Sequence, residues 1–285
     1  MTGDRPVALV TGASRGLGAA VARRLRAEGF DLILTARDAS QLARVRAGLL
    51  EQPGGCVSCV AADLGDAEAP QAIATRVAAI APRLTAVINN AAEQAPIGAL
   101  TACDWSAWER AIRVDFLAPV ALTRACVPSL RTDGRRAKVI FISGGGATSP
   151  RPNFSAYAAA KCALVRTSET LAIELAPAGI DVNAVAPGAM PSFMTQAVID
   201  AGPERAGQRE YDLAVGTLRG GRETIDRAAA LVAYLVSTAG DGLTGRLISA
   251  VWDPWETLAT RREALAKSDV YTLRRIVPGD RGLPE

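Results

Sequence analysis

The order of short apolar runs and longer amphipathic stretches constrains the fold of this chain more than any other feature. Seven β-type runs lie at 7–10, 31–35, 56–61, 86–89, 138–143, 181–186 and 246–250. Between them, residues 17–28, 40–50, 67–80, 105–131, 156–175 and 226–237 carry apolar side chains at helical spacing. Most of the β-type runs are apolar throughout rather than alternating, as in strands buried on both faces of a parallel sheet. In the first helical stretch Leu17, Ala20, Val21 and Leu25 make one stripe, while Arg23, Arg24 and Arg26 point elsewhere. Strand–helix repetition of this kind predicts an α/β fold, a doubly wound parallel sheet of about seven strands with helices on both faces. Ligands of such sheets bind at the carboxyl ends of the strands. Residues 1–252 are predicted to form one domain with a lid insertion at about 189–223. Residues 253–285, rich in aromatics, are predicted to pack on that domain or on a neighbouring subunit.

Composition narrows the chemistry. The chain has 285 residues, 49% of them apolar, which excludes wholesale disorder. It has no histidine, so a Ser-His-Asp triad, a Cys-His pair and a histidine-ligated zinc are all excluded. Tyr, Lys, Cys, Asp or Glu must therefore move any protons. The net charge of +3 is modest, and the basic residues Arg44, Arg46, Arg135, Arg136 and Lys138 are scattered, so no nucleic-acid partner is expected. Five cysteines, an odd number, suggest a reducing compartment. Cys56 and Cys59 form a lone C-x-x-C in a run expected to be a buried strand, so they are read as packing residues and no metal site is expected. There is no signal-peptide layout and no run of the roughly 18 apolar residues that a membrane span needs. The expectation is a soluble, cytoplasmic protein without a membrane partner.

The first β-type run enters Thr11-Gly12-Ala13-Ser14-Arg15-Gly16-Leu17-Gly18 and then a helix. Glycines at a strand-to-helix turn permit a tight bend and bring backbone N–H groups close to a diphosphate at the positive helix end. The spacing is G-x-x-x-G-x-G rather than G-x-G-x-x-G.

That turn resembles the one opening the short-chain dehydrogenase/reductase family, and the resemblance extends along residues 5 to 252. Asn89-Asn90-Ala91-Ala92 is similar to the family's N-N-A-G, Tyr157-Ala158-Ala159-Ala160-Lys161 to its Y-x-x-x-K, and residues 181–188 to its sixth strand and P-G turn. The resemblance implies a Rossmann-like fold and an NAD(P)-dependent oxidoreductase, commonly a homo-dimer or homo-tetramer. It implies that Gly12, Ser14, Arg15, Gly16, Leu17 and Gly18 hold the cofactor diphosphate. Asp63 and Leu64 would face the adenine, with Asn90 and Ala91 near the cofactor ribose. Pro187, Gly188 and Ser192 would border the nicotinamide, Ser192 standing where the family often has a threonine.

An acid at the end of the second strand would bind a ribose 2′-hydroxyl, whereas an arginine accommodates a 2′-phosphate. Here Ala36 takes the acid position and Arg37 follows, with Arg15 in the glycine turn also in reach. Two guanidiniums would clamp a phosphate through charge-assisted bonds, so NADP is expected. The alternative is NAD, with Asp38 on the ribose.

Tyr157 and Lys161 stand at i and i+4 on one helix face. A nearby ammonium and an oxidised nicotinamide both favour the phenolate over a free phenol of pKa about 10. The family resemblance makes Tyr157 the acid/base and Lys161 the residue that lowers its pKa and holds the nicotinamide ribose. Two positions depart from the family. Its serine lies 13 residues before the tyrosine, which lands on Gly144; Ser143 is the candidate replacement, and Thr148 and Ser149 are weaker ones. Asp115 replaces an asparagine that supports a water beside the lysine.

The substrate side is the lid, where Met190, Phe193, Met194 and Tyr211 offer apolar contact and Arg205, Arg209, Arg219 and Arg222 nearly balance Glu204, Glu210 and Asp212. The expected substrate is a small carbonyl or alcohol. Gly144 and Asp115 keep open a non-redox epimerase or dehydratase. A cofactor-binding regulatory protein with a vestigial site is the other alternative.

Overall fold

The apolar runs fold as parallel strands, and they lie side by side in an order that their sequence order does not give. The computed structural model describes residues 5–51, 53–130 and 134–282. Its strands are β1 (Val7–Thr11), β2 (Asp31–Ala36), β3 (Val57–Ala61), β4 (Ala86–Asn89), β5 (Ala137–Ile142), β6 (Ile180–Ala186) and β7 (Leu247–Ser249). They form one sheet in the order β3-β2-β1-β4-β5-β6-β7. Every pairing is parallel, from Val7 against Asp31 in the β1–β2 ladder to Ala184 against Leu247 in the β6–β7 ladder. The helices are α1 (Gly16–Ala27), α2 (Ala39–Leu50), α3 (Ala69–Ile80), α4 (Trp105–Ile112), α5 (Ala118–Cys126), α6 (Ser155–Glu174), α7 (Phe193–Ala206), α8 (Gln208–Arg219), α9 (Glu223–Val236) and α10 (Arg262–Ala266).

Successive strand side chains point to opposite faces, so each strand feeds two cores. Ala8, Val10, Leu32, Leu34, Ile88 and Ile140 pack with Val21 and Leu25 of α1 and Leu231 and Leu235 of α9. Leu9, Ile33, Val87, Val139 and Phe141 pack on the other side with Ile73 of α3, Leu122 of α5 and Leu164 of α6. Burying one such side chain contributes about 1.5–3 kcal/mol.

Several local expectations are corrected. The stretch 105–131 is not one helix. It divides into α4, a π-helical turn at Arg113–Leu117, α5 and a 3-10 turn at Val127–Ser129, while its expected end at Arg131 lies outside the described residues. Pro119 has no N–H to give the carbonyl four residues back, and the ladder widens there, Ala118 N donating to Arg113 O. The widened turn carries Asp115 into the interior, where it is fully buried. The C-x-x-C is not buried as a unit. Strand β3 is at the sheet edge, Cys56 is exposed, and only Cys59 is half-buried, against α2. Lys138 and Arg136, two of the scattered basic residues, meet in one ion-pair cluster. Buried Lys138 pairs with Asp181 and Asp241, each at 2.7 Å, and Arg136 also pairs with Asp181. The segment 189–223 forms α7 and α8, with Gly202 (φ +75°) and Pro203 breaking α7.

The segment after β7 lies against its own chain. The Arg246 guanidinium donates to the carbonyls of Leu265, Ser268 and Val270 at 2.5–2.9 Å. Leu247 N donates to Tyr271 O at 2.8 Å, covering the β7 edge. Trp255 is buried against Tyr234 and donates to Ala250 O at 3.2 Å. Trp252, by contrast, is 84% exposed. Ser249 accepts from Trp252 N and Asp253 accepts from Ser249 N, and this turn directs the indole outward.

Replacing Arg246 with Ala removes the donor for three tail carbonyls. Urea unfolding should show a loss of about 2–4 kcal/mol. Limited proteolysis should cut 253–282 faster than in the parent chain.

Candidate active site

The strand order reverses between β1 and β4, and the functional residues collect at that switch point. Two strand ends are locked together there. Thr11 Oγ1 accepts from Asn90 N at 2.9 Å and from Ala91 N at 3.0 Å. In return, Asn90 Nδ2 donates to Thr11 O at 2.8 Å and to Gly12 O at 3.3 Å. The glycine turn is built around this lock. Gly12 has φ +63°, and a methyl group on it would sit 2.8 Å from Ala91 Cα. A methyl on Gly18 would overlap Gly12 O and Asn90 Nδ2. Gly16 has φ +55° and open space where a side chain would stand. No side chain caps the N-terminus of α1, so its first N–H groups and positive end are available to an anion.

A cleft of about 1490 Å³ opens from this turn. That exceeds a pocket for one drug-sized ligand and suits a dinucleotide with a second molecule. Gly12, Ser14, Arg15, Gly16, Leu17, Arg37, Asp63, Leu64, Asn90, Ala91, Ser143, Tyr157, Lys161, Pro187, Gly188 and Ser192 all line it. Gly18 and Asp115, the other predicted site residues, stand behind that lining. The cradle of glycines, the uncapped helix end and the size of the cleft fit a nicotinamide dinucleotide.

Helix α6 places Tyr157 and Lys161 in the floor, both buried. Lys161 Nζ donates to Ile142 O at 3.1 Å and lies 3.8 Å from Asp115 Oδ2. Asp115 Oδ1 accepts from Glu93 N at 2.7 Å, while its Oδ2 is buried without a hydrogen-bond partner. Burial pushes the Asp115 carboxyl up to about 6, against the opposing pull of Lys161 and the Glu93 N–H. Burial also draws the Lys161 ammonium down, opposed by Asp115. The Tyr157 phenol is pushed well above its ordinary value, by burial first and by Asp115 second. Two cations face its ring: Lys161 Nζ lies 5.4 Å from the ring centre, and Arg151, whose guanidinium carbon lies 5.5 Å from it, opposes the rise. Arg151, which Glu210 of α8 holds at 2.8 Å, is a further cation at the Tyr157 ring that no sequence motif marks.

Gly144 comes so close to the Tyr157 hydroxyl that a side chain there would fall on it. The neighbouring Ser143 Oγ is buried in the cleft wall with no hydrogen-bond partner. Ser192 caps α7, accepting from Thr195 N at 3.2 Å. Gly188, at φ +87°, packs on Val251.

At the other end of the cleft, Asp38 accepts from Gln41 N at 2.9 Å and from Ser40 Oγ at 2.7 Å as the cap of α2. The Gln41 and Ser40 donors hold its carboxyl below the usual carboxylate range. Arg37 donates to Glu93 Oε1 at 2.7 Å. Arg110 donates to both carboxylate oxygens of Glu93 at 3.1 Å and to both of Asp63 at 3.0 Å. Arg15 lies 3.8 Å over the Phe193 ring centre. Arg15 and Arg37 are thus both on the cleft, each with its own partner. Glu93 and Arg110 were missed; the only sequence signal was a charged residue directly after Asn90-Ala91-Ala92.

A doubly wound sheet with a glycine turn at its switch point is the Rossmann-type class of nucleotide-binding folds. Within that class the chain belongs to the short-chain dehydrogenase family, a family of NAD(P)-dependent oxidoreductases; its family model, "short chain dehydrogenase", matches residues 6–202. The chain is 33% identical over 182 residues to dehydrogenase/reductase SDR family member 4 of Pongo abelii, covering 64% of this chain and 65% of that protein. It is 32% identical over 246 residues to the rhamnolipids biosynthesis 3-oxoacyl-[acyl-carrier-protein] reductase of Pseudomonas aeruginosa, covering 85% of this chain and 93% of that protein. The solved Pseudomonas aeruginosa RhlG/NADP active-site complex superposes with a TM-score of 0.74 at 29% identity, covering 86% of this chain and 94% of that one. Among the described residues no helix is long and apolar enough to cross a membrane.

Asp115 gives a pH signature. Its folded-state value, about 6, is raised from 3.8, so the folded chain holds that proton more tightly than the unfolded chain. The stability this contributes is present below about pH 4 and is lost as pH rises through about 6. Relative to Asp115→Asn, the parent should lose about 3 kcal/mol between those limits, read by urea unfolding across a pH series.

Proposed function

We propose that the protein is an NADP(H)-dependent oxidoreductase interconverting a secondary alcohol and a carbonyl, with Tyr157 as acid/base. The observation that carries this reading is the buried Tyr157–Lys161 pair in the same cleft as the glycine turn. Bound NADPH supplies the hydride. The residues of the chain do the rest. The glycine turn and the α1 end hold the diphosphate, Asp63 and Leu64 border the adenine, and Asn90 fixes the turn beside the ribose. Ser192, the cap of α7, would meet the carboxamide.

Burial and Asp115 keep the Tyr157 phenol protonated at neutral pH, so it is equipped to give a proton to a carbonyl oxygen. Lys161, anchored between Ile142 O and Asp115, stays beside it as the cation that steadies the phenolate left behind. Ser143 Oγ, buried and unpartnered, is the candidate hydrogen-bond donor to the substrate oxygen. The choice of NADP rests on Arg37 after Ala36, and on the commitment of Asp38 to capping α2.

The lack of a side chain at Gly144 favours one other reading, an epimerase or dehydratase that returns product at unchanged redox level. Following NADPH consumption over a panel of ketones separates the two. Tyr157→Phe should lower turnover by at least about 100-fold while NADPH still binds. Full turnover in that variant, or product of unchanged redox level, overturns the proposal.

A further inference from the structure

We propose that Glu93 is a cofactor-specificity residue: its carboxylate is the stand-in partner that Arg37 gives up when a 2′-phosphate arrives. This rests on the NADP reading above and adds a residue to it.

Glu93 and Arg37 both line the cleft, and their side chains meet at 2.7 Å. The Arg37 side chain is 53% exposed and free to turn, whereas that of Glu93 is 18% exposed and fixed. What fixes it is Arg110, which lies behind the lining and donates to both of its carboxylate oxygens. When Arg37 leaves, Glu93 therefore keeps two charge-assisted bonds and is not stranded as a buried unpaired carboxylate. The same Arg110 holds Asp63, so the four groups are balanced, two carboxylates against two guanidiniums.

A phosphate of nearly two negative charges outbids one carboxylate that is already shared with Arg110. A 2′-hydroxyl carries no charge and leaves Arg37 where it is. Glu93 thus lowers NADPH affinity by the strength of one partly exposed ion pair and leaves NADH nearly untouched. It sets the margin between the two cofactors from a position that neither the glycine turn nor the end of β2 reveals.

The experiment measures equilibrium Kd for NADPH and NADH, by nucleotide fluorescence, on the full chain and on Glu93→Gln, Arg37→Ala and the double variant. Glu93→Gln should tighten NADPH about two- to five-fold and leave NADH within error. In the Arg37→Ala background the same change should do nothing to NADPH. A glutamine whose amide still holds Arg37 is checked with Glu93→Ser, which should give at least the same gain. Weaker NADPH binding in these variants, an equal gain for NADH, or a gain that persists without Arg37 overturns the proposal. So does no change in NADPH binding in either Glu93 variant when Arg37→Ala alone weakens NADPH; the NADP reading then survives. If Arg37→Ala leaves the NADPH to NADH ratio unchanged, both fall together.

Discussion

The lock between Thr11 and Asn90 is the contact on which the rest of this molecule depends. One hydroxyl and one amide join the ends of β1 and β4 just where the strand order reverses. The turn after Thr11 must run close past Asn90, which removes Cβ atoms from Gly12 and Gly18. That path starts α1 with its uncapped end facing the gap, and it leaves the gap between the two halves of the sheet as a cleft. Replacing either partner would loosen the helix end, the cofactor cradle and the segment 90–94 together, because all three hang from one pair of residues.

The molecule holds two buried lysines, and the contrast between them separates scaffold from site. At the amino ends of the strands, Lys138 has two carboxylates at 2.7 Å, and Asp181 accepts further bonds from Arg136 and Gly242 N. Every charge there is matched. At the carboxyl ends, Lys161 reaches a backbone carbonyl and stands 3.8 Å from Asp115, whose outer oxygen has no hydrogen-bond partner, and Ser143 Oγ nearby has none. Buried polar groups are usually satisfied, and places where they are not collect at functional sites. The lower cluster ties β5, β6 and the turn before β7 together; the upper one is left unfinished for a ligand to complete.

Most of the fold was legible because it is written in local order. The seven apolar runs, the glycine turn and the spacing of Tyr157 and Lys161 are all short-range patterns, and each appears as strand, turn or helix face. Long-range partners were not legible. Glu93 meets Arg37 across 56 residues, and Arg151 meets Glu210 across 59; no periodicity marks such pairs. The widened turn carrying Asp115 was missed because Pro119 was counted inside a continuous helix. The exposure of Cys56 and Trp252 depended on which strand lies at the sheet edge and which way one turn faces, and both are set by tertiary packing.

The covering of β7 by Tyr271 and of the Arg246 guanidinium by the residues beyond it has a consequence in time. A ribosome adds residues at roughly 5–20 per second, so the segment that shields this edge emerges a second or more after β7 itself. During that interval the nascent sheet presents the bare Leu247 N–H at its edge and the Arg246 guanidinium still in water. Residues 265–271 therefore act as a closing seam for this edge, arriving after the strand they cover.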